Sequence, residues 1–166
     1  MFTQVKDKRY AAYVLPICIK DGKKQVALIE YRPHEYGLIG GRFEDGETDA
    51  RGVLRRELIE ELNVGAEKIA DTAIEIPTPY SFDVAPERWA VRCARSETHY
   101  MFVAFVSADT EIIFCEKCSG KPCVVWLDIE SLLDEKVIGF ANEREYFAQY
   151  VLPIIRKTNM NNTAIY

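Results

Sequence analysis

Arg56, Glu57, Glu60 and Glu61 place three carboxylates within five residues, a short distance downstream of the glycine pair Gly40-Gly41. On a helix, positions i, i+3 and i+4 lie within roughly 100° of arc, so the three acids project from one side. Like charges at those spacings repel by a few tenths of a kcal/mol per pair in an isolated helix, and the only cation beside them is Arg56. A divalent cation reverses the sign of that repulsion. Mg²⁺ is hard, prefers oxygen ligands and binds through a few carboxylates together with phosphate oxygens, so the cluster suits metal-assisted chemistry on a phosphorylated molecule.

The acids need a helix, and the pattern supplies one from about Asp49 to Leu62, with Thr48 or Asp49 as N-cap. Leu54, Leu58 and Leu62 recur at i+4 spacing, an apolar stripe that can pack on a sheet while the carboxylates face a cleft. Upstream, Tyr10–Ile19 reads as a strand, Asp21-Gly22 as a hairpin turn and Gln25–Tyr31 as the returning strand. Pro33–Glu47, rich in Pro and Gly, reads as a loop. Downstream, strands are expected at Thr72–Ile76, Tyr100–Ala108, Glu111–Phe114 and Cys123–Asp128, and a short helix at Asp128–Asp134. A longer helix starts at Asn142 with Asn142 and Glu145 as a relative of the capping box, and runs to about Lys157, with Pro153 ending or kinking it. The last nine residues, 158–166, are polar and read as a loose tail after a single domain over residues 1–157.

The stretch from Gly41 to Val64 resembles the Nudix box, G-x5-E-x7-R-E-U-x-E-E-x-G-U with U aliphatic: Gly41, Glu47, Arg56, Glu57, Leu58, Glu60, Glu61 and Val64 fall on its fixed positions. It departs twice. Eight residues instead of seven separate Glu47 from Arg56, and Asn63 stands in place of the last glycine, a mild change because Asn also tolerates the left-handed conformation that ends a helix. The resemblance implies an α/β/α sandwich with a mixed central sheet and a metal-dependent hydrolase, in which water attacks a diphosphate linkage. It further implies Mg²⁺ or Mn²⁺ held by Glu57, Glu60 and Glu61 with the backbone carbonyl of Gly40, and Glu47 and Arg56 orienting these ligands. The proton of the water goes, in different members of the family, to a box glutamate or to a later loop acid, for which Glu116 is the candidate. Relatives that serve as binding or sensing modules lose box acids, whereas this chain keeps all three, so an enzyme is expected and a silent nucleotide-binding module is the alternative.

Substrate choice should lie outside the box. The segment Pro77–Tyr100 reads as long and irregular and mixes Arg88, Arg92 and Arg95 with Tyr80, Phe82 and Trp89, side chains suited to phosphate and to a base. Arg32, Arg42 and Tyr36, ahead of the box, have a similar claim. A small-molecule nucleoside diphosphate derivative is therefore the expected substrate class; Pro79 followed by Tyr80 matches markers of two different Nudix subfamilies and selects neither. Cys115, Cys118 and Cys123 could give three zinc ligands, with Cys18, Cys93 or His99 as a fourth, but free thiols are the favoured reading. His34 and His99 show no partner pattern and read as surface or strand residues.

Composition sets outer limits. A net charge of −5 over 166 residues argues against broad nucleic-acid binding, and no run of about 18 apolar residues exists to span a membrane. Five cysteines without a signal-peptide-like start point to reduced thiols in a cytoplasm. The sequence leaves the oligomeric state, monomer or homodimer, open.

Overall fold

A computed structural model describes residues 7–62, 65–85, 95–110 and 123–158. Strands β1 (Asp7–Lys20) and β2 (Lys23–Arg32) form the expected hairpin, and Asp21 (φ 51°) with Gly22 (φ 75°) are both left-handed, as a two-residue type I′ turn requires. The expected loop from Pro33 to Glu47 instead contains two short strands, β3 (Glu35–Gly37) and β4 (Ile39–Arg42). Pairing overrides composition there: β3 adds to β2, and β4 lies antiparallel to β1 from Ala11↔Arg42 to Val14↔Ile39. Gly40 has φ 140°, and a Cβ on it would lie 2.1 Å from the Ala12 carbonyl oxygen, so this rung of the ladder accepts only glycine.

Helix α1 (Ala50–Glu61) starts where expected, and Asp49 is the cap, its carboxylate accepting from the Arg51 and Gly52 backbone N–H groups. Helix α2 (Ala66–Thr72) occupies ground where a strand was expected to begin at Thr72; Ala66, Ile69, Ala70 and Ala73 carry its helical spacing and are buried. Strand β5 is only Ile74–Glu75. The segment expected to be irregular supplies β6 (Tyr80–Val84) and the start of β7 (Arg95–Phe105), which begins five residues before the expected Tyr100. Strand β8 is Cys123–Asp128, followed by a 3₁₀ turn over Ile129–Leu133. The expected strand Glu111–Phe114 lies outside the described residues.

The C-terminal helix runs as α3 (Ala141–Tyr146), a π turn (Phe147–Val151) and α4 (Leu152–Lys157). Its N-cap is Phe140, which makes no side-chain cap, so Asn142 already lies inside the first turn and the expected Asn142–Glu145 box does not form. Pro153 lacks an N–H and crowds the preceding turn; the backbone answers by widening into the π turn, and the helix then continues. Lys24 donates to the carbonyls of Ile155 and Thr158 at 2.6 and 3.0 Å, closing the far end against β2.

All these strands join one mixed sheet. β1 is central, parallel to β7 from Asp7↔Arg95 to Ile17↔Phe105 and antiparallel to β2 and β4 on its other edge. Alternation sorts the core into two layers. Ala12, Val14, Ile29, Phe102 and Ala104 pack with Leu54, Leu58 and Ile69 under α1 and α2. Leu15, Ile17, Leu28, Met101 and Val103 pack with Phe147, Val151 and Leu152 under the C-terminal helix. The result is the expected α/β/α sandwich with a mixed central sheet, and no helix among the described residues is long and apolar enough to cross a membrane.

Candidate active site

The acids at the end of α1 sit against β4, and Arg56 braces them. Arg56 forms a bidentate pair with Glu47 (Nε–Oε1 2.9 Å, Nη2–Oε2 3.0 Å), donates to Glu57 Oε1 at 2.9 Å and reaches the Arg42 backbone carbonyl at 2.9 Å. The extra residue between Glu47 and Arg56 therefore leaves the two in contact. Just upstream, a tight turn in which the Glu44 N–H donates to Glu47 Oε2 at 2.7 Å and Gly46 adopts φ 88° holds the Glu47 carboxylate in place. The Arg56 guanidinium and the Glu44 N–H together hold the Glu47 carboxyl down at about 2. Arg56 itself is held well above its ordinary value by Glu47 and Glu57.

Gly41 exists for Glu57. A Cβ at Gly41 would lie 2.2 Å from Glu57 Cδ, so the bare backbone is what lets that carboxylate lie flat against β4. Burial pushes Glu57 up, opposed by Arg56. Glu61 is pushed up to about 7, first by burial and then by Glu57 and Glu60, with a hydrogen bond from the Gly40 backbone as the one opposing influence. Its Oε2 is buried and accepts no hydrogen bond. Glu60 is more open, its side chain 57% exposed and 3.6 Å from Arg56 Nη1. Among the described residues no three acidic, Cys or His side chains already converge on one point as a metal cage. The donor set nevertheless fits a hard cation: an orphaned buried carboxylate oxygen, two neighbouring acids and, at Gly40-Gly41, a backbone with no side chain of its own.

On the other face of the sheet a recess opens beside β4, made of adjoining cavities of about 300 and 270 Å³ that share Tyr13 and His99. Tyr80 and Phe82 of β6 stack at 4.9 Å, and His99 stands edge-on to Tyr13, Tyr80 and Phe82 at 5.0, 6.0 and 5.1 Å between centroids. Burial lowers His99 despite its Glu97 partner, which favours the neutral ring. Glu143, from the first turn of α3, borders the recess, and burial pushes its carboxyl up to about 7. Arg42 borders both this recess and a more polar cleft of about 450 Å³ beside Glu44 and Glu47, so it stands between the acid cluster and the aromatic rings.

The residues singled out from sequence fall into three groups. Gly40, Glu47, Arg56, Glu57, Glu60 and Glu61 come together around α1 and β4, and Arg42 with Tyr80 joins the recess. Arg32 does not join them; it is exposed and faces Glu35 at 4.0 Å. Arg88, Arg92, Glu116, Cys93, Cys115 and Cys118 lie outside the described residues, as do Asn63 and Val64 of the box. Of the remaining cysteines, Cys18 is buried in the sheet core and Cys123 is exposed, both as free thiols. Tyr13, Glu97 and Glu143 escaped the sequence reading. A signal for Glu97 did exist: it shares the parity of Met101, Val103 and Phe105, a charge on the inward-facing side of a strand.

The model of the NUDIX domain matches residues 8–150. An RNA pyrophosphohydrolase of Dinoroseobacter shibae is 33% identical over 101 residues, which span 58% of this chain and 62% of that relative. The chain thus covers about three fifths of the length of the curated relative it matches. Among solved structures, a MutT protein from Methanosarcina mazei Go1 superposes with a TM-score of 0.60 at 16% identity, covering 94% of this chain and 100% of that one. An Ap4A hydrolase of C. elegans in a binary complex does so at 0.57 and 17% identity, covering 84% and 96%. The E. coli dihydroneopterin triphosphate pyrophosphohydrolase gives 0.57 and 18% identity, over 89% and 99%. With the braced acid cluster, the sandwich fold and a family model that spans most of the sequence, the chain belongs to the NUDIX domain family.

Proposed function

We propose that the protein is a metal-dependent pyrophosphohydrolase that cleaves a diphosphate linkage in a nucleoside diphosphate derivative. The observation that carries this reading is the Arg56 brace: one guanidinium fixes Glu47 and Glu57 while leaving the Glu61 Oε2 lone pairs buried and unused. Glu57, Glu60 and Glu61, with the Gly40 carbonyl, would hold Mg²⁺ or Mn²⁺, which when bound would neutralise phosphate charge and acidify an attacking water. Arg56 sets the carboxylate rotamers and draws Glu57 toward the charged form, a task for a planar fork that Lys could not reproduce. Arg42, next to Gly41 in sequence, reaches toward substrate phosphate. The aromatic recess takes the base, with the neutral His99 and the Tyr13 hydroxyl as polar contacts. The similar proteins include an RNA pyrophosphohydrolase, an Ap4A hydrolase and a dihydroneopterin triphosphate pyrophosphohydrolase, which supports hydrolysis of a polyphosphate-bearing substrate. The net charge of −5 favours a small nucleotide over broad nucleic-acid binding.

A hydrolysis screen with Mg²⁺ over nucleoside triphosphates, ADP-ribose, sugar nucleotides, dinucleoside polyphosphates and diphosphoinositols tests the proposal. Turnover of at least one nucleotide that stops in chelator is the expected result. Preference for diphosphoinositols over every nucleotide would overturn the substrate class.

A further inference from the structure

Glu97 is the one charged residue among the buried polar side chains described, 2% exposed, and it is ringed by cations and a ring nitrogen. Arg95 Nε stands 2.9 Å from its Oε1, Arg42 Nη2 is 3.4 Å from the same oxygen, and His99 Nε2 is 3.4 Å from Oε2. The Arg95 Nε–H is not aimed at the carboxylate and makes no hydrogen bond, so Arg95 contributes charge more than direction. A carboxylate carried this far from water costs free energy unless its partners compensate it, and removing one partner is expensive. What sets Glu97 apart from a structural ion pair is where its partners lead. Arg42 is half exposed, and its backbone carbonyl receives Arg56 of the acid cluster at 2.9 Å. His99 forms the wall of the aromatic recess. With Nε2–H donating to Glu97, the His99 tautomer leaves Nδ1 as an acceptor.

We propose that Glu97 is a positioning residue that holds the phosphate-facing Arg42 and the base-facing His99 in one fixed relation, and so sets how a nucleotide spans the two halves of the site. The inference rests on reading the acid cluster and the recess as halves of one substrate site. Glu97 borders the recess but is only 2% exposed, screened from it by its partners. Its effect passes through Arg42 and through the His99 tautomer.

The test uses methylene-bridged analogues of the four common ribonucleoside triphosphates with Mg²⁺, the tightest binder being carried through wild type, Glu97→Gln, Arg42→Ala and the double variant, alongside inorganic diphosphate. Each single variant should weaken the analogue by about tenfold or more; with inorganic diphosphate, which has no base for His99 to meet, the double variant should be at most about twofold weaker than Arg42→Ala, because effects that run through a shared partner do not add. Inorganic diphosphate should weaken in Glu97→Gln as well, since Arg42 faces phosphate. Glu97→Asp, which keeps the charge, should recover part of the loss, and it carries the test should Glu97→Gln fail to fold. Unchanged analogue affinity in Glu97→Gln, or losses that multiply in the double variant with inorganic diphosphate, would overturn the role of Glu97 while the wild type still binds and hydrolyses. A wild type that binds none of the analogues and hydrolyses no nucleotide would overturn the underlying site reading instead.

Discussion

At the scale of single residues, two adjacent glycines do different work, and their alanine variants should separate fold from chemistry. Gly40→Ala drives a methyl into the Ala12 carbonyl at a φ that L residues avoid, so it should unseat β4 and lower the melting temperature sharply. Gly41→Ala meets only the Glu57 carboxylate, a side-chain end that can move. It should melt near the wild type yet lose most activity, because Glu57 is displaced from Arg56. Circular dichroism melts paired with turnover decide it; equal melting losses in the two variants would remove the distinction. Glu143 supplies a pH test. Its folded carboxyl titrates near 7 against about 4.5 when unfolded, so the folded state holds the extra proton between those values. Its contribution is most favourable below pH 4.5 and is lost as pH rises to about 7. In chelator, Glu143→Gln should therefore become more stable relative to wild type between pH 5 and pH 8, by on the order of 1 to 2 kcal/mol. A difference that stays flat across that range would show that Glu143 titrates normally.

At the scale of elements, α1 announces itself because several local signals coincide: a capping Asp49, a leucine repeat at i+4 and the acid spacing on the adjacent face. Removing the cap in Asp49→Ala should cost about 1 kcal/mol in urea unfolding, the usual value of two satisfied helix-end N–H groups; a loss below a few tenths would mean that the sheet alone holds the helix start. Strands β3, β4 and β6 were not legible, since each is short and made a strand only by its partner: β3 by β2 across a tight turn, β4 by β1 and β6 by β7. Helix α2 was legible in its Ala66, Ile69, Ala70 and Ala73 spacing but lay beside a β-rich run that competed with it. The acid half of the site is one contiguous motif and could be read directly. The recess was legible only in Arg42, Tyr80 and Phe82; Tyr13, Glu97 and Glu143 come from three further elements that only the parallel β1–β7 pairing and the folding back of α3 bring beside them.

At the scale of the molecule, the central strand β1 carries chemistry to both faces. Its N-terminal half pairs with β4, whose glycines back the acids, and its inward Tyr13 lines the recess on the opposite side. The metal-free protein carries the repulsion of Glu57, Glu60 and Glu61 and the cost of the unused Glu61 oxygen. Glu61→Gln should consequently be as stable as wild type in chelator, or a few tenths of a kcal/mol more so. Mg²⁺ should raise wild-type stability by about 2.7 kcal/mol at a hundred times its dissociation constant, and most of that gain should vanish in the variant. Thermal melts with and without Mg²⁺ read both; strong destabilisation of the variant in chelator would make Glu61 a structural residue.

The most direct measurement is kcat for the best nucleotide substrate in saturating Mg²⁺, in wild type, Glu60→Gln and Glu61→Gln. Loss of one group that stabilises transition-state charge should lower kcat by about a hundredfold or more in each variant, with chelator abolishing the wild-type rate. Near-normal turnover in both variants, or full wild-type activity in excess chelator, would contradict the assignment of the acid cluster as the metal-binding centre of a diphosphate hydrolase.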